Sequence, residues 1–164
     1  LNLLLIEQPL FEDDIWDHHK FQAKFSTPVC LDESINSVRA AEKAITLGSC
    51  RYINIKPGRC GGLTPALKIH HLCQQAGIPC WVGGMLESAT GVAICVALST
   101  LDNFTYPADI FASSRFYTQD LAEEPIELTT LSDGTPGVTA WQKIPAPNSR
   151  RLLQQTMEKF ELRA

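Results

Sequence analysis

The chain has 164 residues, of which 45% are hydrophobic and 20% are charged, and its formal net charge is −4. A chain of this length and apolar content can bury a sizeable core, which argues against intrinsic disorder. Because the charge balance is mildly acidic and Lys and Arg are not clustered, we expect no nucleic-acid partner. No apolar run approaches the roughly 20 residues that a membrane span needs, so we expect no membrane partner either.

Short apolar runs rich in strand-forming residues recur along the chain, and helix-length segments separate them. Continuous apolar runs are typical of strands that are buried on both faces of a parallel sheet. The predicted strands are residues 3–6, 28–31, 52–55, 78–82 and, more weakly, 104–106. The predicted helices are Ser37–Leu47, a helix that has Thr64 as N-cap and ends at Gly77, and Ser88–Leu101. The second of these is predicted to bury, in varying degree, Leu67, Ile69, Leu72 and Cys73.

Strands and helices that alternate in this way predict βα units with right-handed crossovers. Five such strands fit either an open doubly wound sheet or an arc of a (β/α)₈ barrel, because a whole barrel needs about 250 residues. The segment Gly58–Gly62 lacks the G-x-G-x-x-G order of a dinucleotide site. Its glycines are predicted to let a loop turn tightly beside Lys56.

The six cysteines, at positions 30, 50, 60, 73, 80 and 95, show neither the C-x-x-C spacing of a zinc site nor a disulfide pattern. Cys30, Cys80 and Cys95 lie in apolar stretches, so we expect them to be small buried side chains. This usage of cysteine predicts a reducing, cytoplasmic setting.

Charged residues follow the predicted strands at nearly equal spacing. Glu7 and Asp32 are 25 residues apart, and Asp32 and Lys56 are 24 apart. Each therefore lies one βα unit from the next, and in a barrel all three would gather on the C-terminal face. Two carboxylates there would be hard oxygen ligands for Mg²⁺, with a lysine beside them as base or acid. The alternative is that such acidic residues only cap the next helix, as Glu33 or Ser34 could.

Four motifs of the chain resemble, in order and spacing, the fourth to seventh strand segments of the barrel in the enolase superfamily. A further run, Pro107–Phe116, is similar to the o-succinylbenzoate synthase and N-acylamino acid racemase branch of that superfamily. The four motifs are Ile6-Glu7-Gln8-Pro9, Leu31-Asp32-Glu33-Ser34, Asn54–Gly62 and Gly83–Ser88.

The resemblance implies a fold as well. Residues 1–110 would form the C-terminal part of an α/β barrel of the (β/α)₈ type, from its fourth strand onward. Residues 111–164 would form the last barrel segment and a tail that returns toward a capping domain. Within this tail, Ile126–Leu128 and the turn cluster at 132–137 predict a short hairpin. Asn148 is predicted to cap a last helix that runs through Leu162, and Trp141 to serve packing.

The resemblance also implies a chemistry, namely the Mg²⁺-dependent removal of a proton alpha to a carboxylate through an enediolate, with Mn²⁺ as an alternative cation. Glu7 and Asp32 would be metal ligands, and Lys56 would be a catalytic lysine. Asn54 lies on the same strand face as Lys56 and would orient the groups around it. Met85, Leu86 and Glu87 would lie near the side arm of a small carboxylate substrate, and Asn54 would also belong to the substrate-binding residues.

Two reactions of this branch remain open. One is the dehydration that forms o-succinylbenzoate in menaquinone or phylloquinone biosynthesis, in which Lys56 would stabilise the enediolate by its charge while a second lysine moves the proton. The other is the racemisation of N-acylamino acids, in which Lys56 would face one side of the substrate carbon and a second lysine the other.

The family pattern also includes parts that these 164 residues do not contain. It has an N-terminal capping domain, a Lys-x-Lys pair and a third carboxylate ligand, and none of the seven lysines forms a Lys-x-Lys pair. We therefore expect the chain to be the C-terminal half of such an enzyme, inactive alone and partnered by the N-terminal half of the same enzyme. The alternative is a non-catalytic half-barrel chain. The oligomeric state, including a homo-oligomer, stays open.

Overall fold

The structure is a computed structural model that describes residues 2–138, 144–148 and 150–151. The chain divides into two compact units. The first unit comprises Leu1–Met85 and Cys95–Ile110, and the second comprises Leu86–Ile94 and the chain from Phe111 onward.

The first unit is built on a parallel sheet of four strands whose order in the sheet is their order in the chain, β1-β2-β3-β4. Cα partners in the sheet include Glu7 with Cys30, Cys30 with Tyr52, and Asn54 with Trp81. The weaker run at 104–106 does not form a regular strand, but single parallel bridges join Cys80 to Phe104 and Gly83 to Asp109. The strands are β1 (Ile6–Glu7), β2 (Val29–Leu31), β3 (Tyr52–Ile55) and β4 (Cys80–Val82).

Helices connect the strands and cover one face of this sheet. The core between them is apolar and includes Leu31, Ile53, Ile55, Ile69 and Val82. This agrees with the predicted βα units, because continuous apolar strands need a covered face. The helices are α1 (Ile15–Lys24), α2 (Val38–Leu47), α3 (Pro57–Cys60), α4 (Leu63–Ala76) and α5 (Ala89–Ser99), the last of which contributes residues to both units.

Helix α2 has the ends that its sequence predicts. The hydroxyl of Ser37 accepts a hydrogen bond from the amide of Ala40 at 3.2 Å, which caps the N-terminus. Gly48 follows the last residue with φ 69°, a left-handed conformation that favours glycine.

The predicted start of helix α4 is wrong. The N-cap is Gly62 rather than Thr64, so that Thr64 and Pro65 lie within the first turn. The reason is that Gly61 and Gly62, with φ 99° and 104°, let the chain pass from α3 directly into α4. The predicted burial of Leu67 is also wrong, because this side chain is 41% exposed while Ile69 is fully buried.

All six cysteines are buried, as predicted for Cys30, Cys80 and Cys95. Among the described residues, no helix combines the length and the apolar character that crossing a bilayer requires.

In the second unit the described residues form little regular structure. A 3₁₀ turn spans Ser113–Arg115, and two short antiparallel strands, β5 (Thr129–Thr130) and β6 (Pro136–Gly137), form a hairpin. The hairpin was predicted, although its first strand lies after Leu128 rather than at 126–128. Asn148 Oδ1 accepts hydrogen bonds from the amides of Arg150 and Arg151, which is the predicted capping contact. Trp141 lies outside the described residues, and so does the predicted last helix beyond Arg151.

Candidate active site

Three consecutive strands bring the predicted site residues to one edge of the sheet. Glu7 is the last residue of β1, Asp32 follows β2, and Lys56 follows β3. The strands are parallel neighbours, so their carboxyl ends meet at the same edge. Glu7, Cys30 and Tyr52 are paired across the three strands, so their side chains lie on the same face of the sheet. Along each strand, residues two apart also point to the same face. Asp32 and Lys56 therefore lie on the sheet face that carries Glu7, opposite the apolar core.

Asp32 is the electrostatic centre of this edge. Its Oδ2 lies 3.0 Å from Lys56 Nζ, and its Oδ1 forms a close ion pair with Arg59 Nη1. The Asp32 side chain is only 6% exposed, so both cations approach a carboxylate that water hardly reaches. Arg59 was not predicted as a site residue. The only sign of Arg59 in the sequence is that it follows Lys56 by three residues, because one helical turn places two such side chains on the same side.

Glu7 is held from across the sheet by an uncharged donor. Asn54 Nδ2 donates a hydrogen bond of 2.9 Å to Glu7 Oε1. Partial burial raises the pKa of Glu7 above its ordinary value, the hydrogen bond from Asn54 opposes that shift, and the negative charge of Asp32 adds to it. Asn54 therefore holds the Glu7 carboxylate by a hydrogen bond, while its contact with a substrate stays a prediction.

Gly83 has no side chain, and the side chains of Asn54 and Lys56 occupy the space beside it. A Cβ atom on Gly83 would lie 2.2 Å from Asn54 Oδ1 and 2.4 Å from Lys56 Cε. Asn54 Oδ1 is itself buried and has no hydrogen-bond partner in the described part of the chain. The residue after β4 must therefore be glycine if the side chains of Asn54 and Lys56 are to keep their positions.

Below the charged groups, the same face carries a thiol and an indole. Trp81 Nε1 donates to Cys30 Sγ at 3.1 Å. Burial raises the pKa of the Cys30 thiol to about 12, against the smaller opposing effect of the Trp81 hydrogen bond. Cys30 is therefore a neutral, packed side chain rather than a nucleophile.

The three residues predicted to lie near the substrate's side arm belong to two different units of the structure. Met85 is 45% exposed, and its sulfur lies 3.4 Å from the position that a Cβ on Gly58 would take, so it borders the loop after Lys56. Leu86 and Glu87 belong to the second unit. There the carbonyl of Leu86 accepts a hydrogen bond from Tyr117 Oη at 2.5 Å, and Glu87 packs against Gly91. Contact of these three with a substrate stays a prediction.

The residues of this edge fit a hard divalent cation in part. Glu7 and Asp32 offer carboxylate oxygens, which Mg²⁺ prefers. The mutual repulsion that helps to raise the pKa of Glu7 is one that a cation between the two carboxylates would relieve. Within the described residues, however, no three His, Cys, Asp or Glu side chains come together as a metal site. The described residues therefore offer two carboxylates that could hold a cation, and further ligands would come from water, substrate or other residues.

Comparison with known proteins identifies the family. Residues 1–134 match the family model described as enolase C-terminal domain-like. The chain belongs to the enolase superfamily. It is 52% identical over 126 residues to o-succinylbenzoate synthase from Geobacillus stearothermophilus, an alignment that covers 77% of this chain and 34% of that protein. It is 44% identical over 161 residues to N-succinylamino acid racemase from Thermus thermophilus, covering 96% of this chain and 43% of that protein.

The solved structures of this superfamily confirm the predicted architecture. A superfamily member from Enterococcus faecalis V583 matches with a TM-score of 0.80 and 38% sequence identity, over 93% of this chain and 41% of that one. The parallel sheet with its connecting helices is thus an arc of a (β/α)₈ barrel. The chain spans between about a third and two fifths of the length of the relatives and structures that it matches.

Proposed function

We propose that the protein that carries this chain removes a proton alpha to a carboxylate with the help of a divalent cation, and that it acts as an o-succinylbenzoate synthase. The observation that carries the proposal is the convergence of Glu7, Asp32 and Lys56, with Lys56 Nζ 3.0 Å from Asp32 Oδ2. Relatives named o-succinylbenzoate synthase from Geobacillus kaustophilus and Bacillus subtilis, 51% and 52% identical to the chain, support this choice of reaction.

The chemistry explains why these groups are needed together. A proton alpha to a carboxylate is weakly acidic, and its removal leaves a dianionic enediolate. A cation held by Glu7 and Asp32, either Mg²⁺ or Mn²⁺, would supply Lewis-acid stabilisation of that charge. Asn54 holds the Glu7 carboxylate in place for this task through its hydrogen bond.

Lys56 contributes positive charge from the next strand. Its side chain is 15% exposed and its ammonium group is held by Asp32, so it is oriented before a substrate arrives. In the dehydration it would remain protonated and stabilise the negative charge that develops on the substrate. A second base is then required to take the proton, and we propose that it comes from outside these 164 residues.

A racemase is the second candidate. N-succinylamino acid racemase from an Amycolatopsis species is 53% identical to this chain over 121 residues, as similar as the synthases are. In that reaction Lys56 would exchange a proton with one face of the substrate carbon. Both reactions begin with the same proton removal, so the same three residues serve either one.

The complete gene product can be assayed for both reactions. We expect activity that EDTA abolishes and Mg²⁺ or Mn²⁺ restores, and a loss of at least about 100-fold in kcat for Lys56→Ala. Lys43→Ala, which removes an exposed lysine of α2, is the matched control and should leave kcat unchanged. Full activity of Lys56→Ala, or activity that is indifferent to EDTA, would refute the proposal.

The 164-residue chain by itself should be inactive. It supplies two carboxylates for the cation and one of the lysines, while the proposed reaction needs a third ligand and a second base. Turnover by the purified chain, in either assay and without an added second half, would show that this expectation is wrong.

A further inference from the structure

The side chain of Gln8 connects the two loops that follow β1 and β2. Its Oε1 accepts hydrogen bonds from the amides of Asp32, at 3.0 Å, and Ser34, at 3.3 Å. Its Nε2 donates to Ser34 Oγ at 2.8 Å and to the carbonyl of Leu10 at 3.2 Å. Nε2 also donates to the carbonyl of Phe11 at 3.5 Å. A single amide thus makes three contacts with the Asp32 loop and two with its own loop.

One of these contacts replaces a hydrogen bond of the sheet. In the ladder between β1 and β2, the amide of Ile6 donates to Pro28 O and the amide of Gln8 donates to Cys30 O. The parallel pattern would next pair the amide of Asp32 with the main-chain carbonyl of Gln8. That amide donates to the side-chain oxygen of Gln8 instead.

The backbone of Gln8 explains the replacement. Gln8 has φ 38° and is the only non-glycine residue with a positive φ among the described residues. This conformation is costly for a residue with a Cβ and persists where the surroundings hold it. It turns the main chain out of the sheet directly after Glu7, while the side chain continues the connection to the neighbouring strand.

We propose that Gln8 is a positioning residue that fixes the separation of the Glu7 and Asp32 carboxylates and so prepares them to bind a cation. Gln8 is the next residue after Glu7, and it accepts a hydrogen bond from the amide of Asp32 itself. Two ionised carboxylates at one edge of the sheet repel each other. The hydrogen bonds of Gln8 hold the two loops together against that repulsion. The inference rests on the proposed function, because it assumes that these carboxylates hold a cation.

The chain offers a matched control at the opposite end of β2. Gln22, which is 4% exposed, accepts a hydrogen bond from the amide of Val29 at 2.7 Å. It also donates to the carbonyls of Phe25 and Thr27, at 3.1 and 3.3 Å. Gln22 therefore makes the same kind of contacts to main-chain groups as Gln8, but at the strand end that lies away from the carboxylates.

The test compares Gln8→Met with Gln22→Met in the complete gene product, because Met keeps the length of Gln and removes the hydrogen bonds. Binding of Mn²⁺ is measured by electron paramagnetic resonance of the free ion, and stability by urea unfolding. We expect both variants to lose stability. We expect Gln8→Met alone to bind Mn²⁺ more weakly, by about 10- to 100-fold, the range found when groups that orient metal ligands are removed.

Equal Mn²⁺ affinity of wild type and Gln8→Met, or an equal loss in both variants, would overturn the inference and leave the proposed function intact. A wild-type protein that neither binds Mn²⁺ nor shows activity would overturn the proposed function itself. If Gln8→Met does not fold, Ser34→Ala decides, because it removes only the hydrogen bond between Gln8 Nε2 and Ser34 Oγ. We expect it to weaken Mn²⁺ binding measurably, and unchanged affinity would count against the inference.

Discussion

Asn54 on β3 and Glu7 on β1 are joined by a hydrogen bond of 2.9 Å, although β2 lies between their strands. The contact links residues that are 47 positions apart in the chain. It passes over β2, which carries Cys30, so the position of the Glu7 carboxylate depends on a side chain two strands away. The pKa of Glu7 is nevertheless raised, because partial burial and the charge of Asp32 outweigh the hydrogen bond.

Replacing Glu7 by Gln should stabilise the protein in the absence of divalent cations. Folding raises the pKa of this carboxyl, so its protonated form stabilises the folded state. That contribution to the free energy of unfolding is complete below the ordinary pKa of 4.5, and it is lost as the pH rises through the folded-state pKa. At pH 7 the ionised Glu7 therefore disfavours the folded state, whereas Gln does not. We expect a small gain in urea stability for Glu7→Gln at pH 7 and none at pH 4.

Glu42→Gln, at an exposed position of α2, is the control for the removal of a carboxylate, and its stability should stay close to that of wild type. The same Glu7→Gln protein should bind Mn²⁺ more weakly than wild type. A variant that is less stable than wild type at pH 7 without cations would contradict the assigned pKa shift.

Substituting Ala for Gly83 should damage the site by crowding alone. The added Cβ would overlap Asn54 Oδ1 and Lys56 Cε, which must move. Overpacking of this kind costs about 1–3 kcal/mol, and we expect at least a tenfold loss of kcat with it, because Lys56 is displaced. Urea unfolding and steady-state kinetics measure the two effects.

Gly58→Ala is the matched substitution in the segment that follows Lys56. A Cβ there would meet Met85 Sδ at 3.4 Å, an ordinary contact, and Gly58 lies within helix α3. Ala should therefore be neutral, or more stable by up to about 1 kcal/mol. If Gly58→Ala and Gly83→Ala lost activity equally, crowding at Asn54 and Lys56 would not be the cause.

The positions of Glu7, Asp32 and Lys56 could be predicted because they follow from two regularities. The apolar runs mark where each strand ends, and parallel strands that are consecutive in the chain place those ends at one edge. Residues one βα unit apart must then be neighbours. The approach of Lys56 to Asp32 needs nothing more than this topology and the attraction between opposite charges.

The part played by Arg59 could not be predicted in the same way. It depends on α3, a helix of four residues that is too short to show any periodicity in the sequence. The glycines around it indicated only a loop. The requirement for glycine at position 83 was likewise invisible, because it arises from the packing of two side chains of β3 against the end of β4.

The Cys30 thiol should be unreactive in the folded protein. Its pKa rises from 9.0 to about 12, which lowers the thiolate fraction near pH 8 by about a thousandfold. We expect iodoacetamide to label Cys30 only after unfolding, as peptide-resolved mass spectrometry would show. Rapid labelling of Cys30 under native conditions, at a rate equal to that in urea, would contradict its burial beneath the site.

Asp120 should be a stabilising residue of the second unit. Its Oδ2 accepts a hydrogen bond from the amide of Ala89, the first residue of α5, at 2.9 Å, and its Oδ1 accepts one from Ala122 at 2.7 Å. Asp120 is 8% exposed, so Asp120→Ala leaves both amides without this partner. We expect a loss of about 1–2 kcal/mol in urea unfolding.

Asp133→Ala provides the comparison for Asp120→Ala. Asp133 Oδ1 also accepts two hydrogen bonds, both from Thr135, but in an exposed turn where water can replace the carboxylate. Its loss should cost well under half as much. Equal losses for the two variants would mean that burial of Asp120 adds nothing.

Side chains alternate along β2, β3 and β4, so that neighbours in the chain belong to separate environments. Leu31, Ile53 and Val82 enter the apolar core, whereas Asp32, Asn54 and Gly83 face the charged edge. Substitutions of the first set act through the core, and substitutions of the second set act on the site. Random mutagenesis of this region should therefore yield two classes of variants interleaved along each strand, one that loses stability alone and one that loses catalysis, with a loss of stability as well at Gly83.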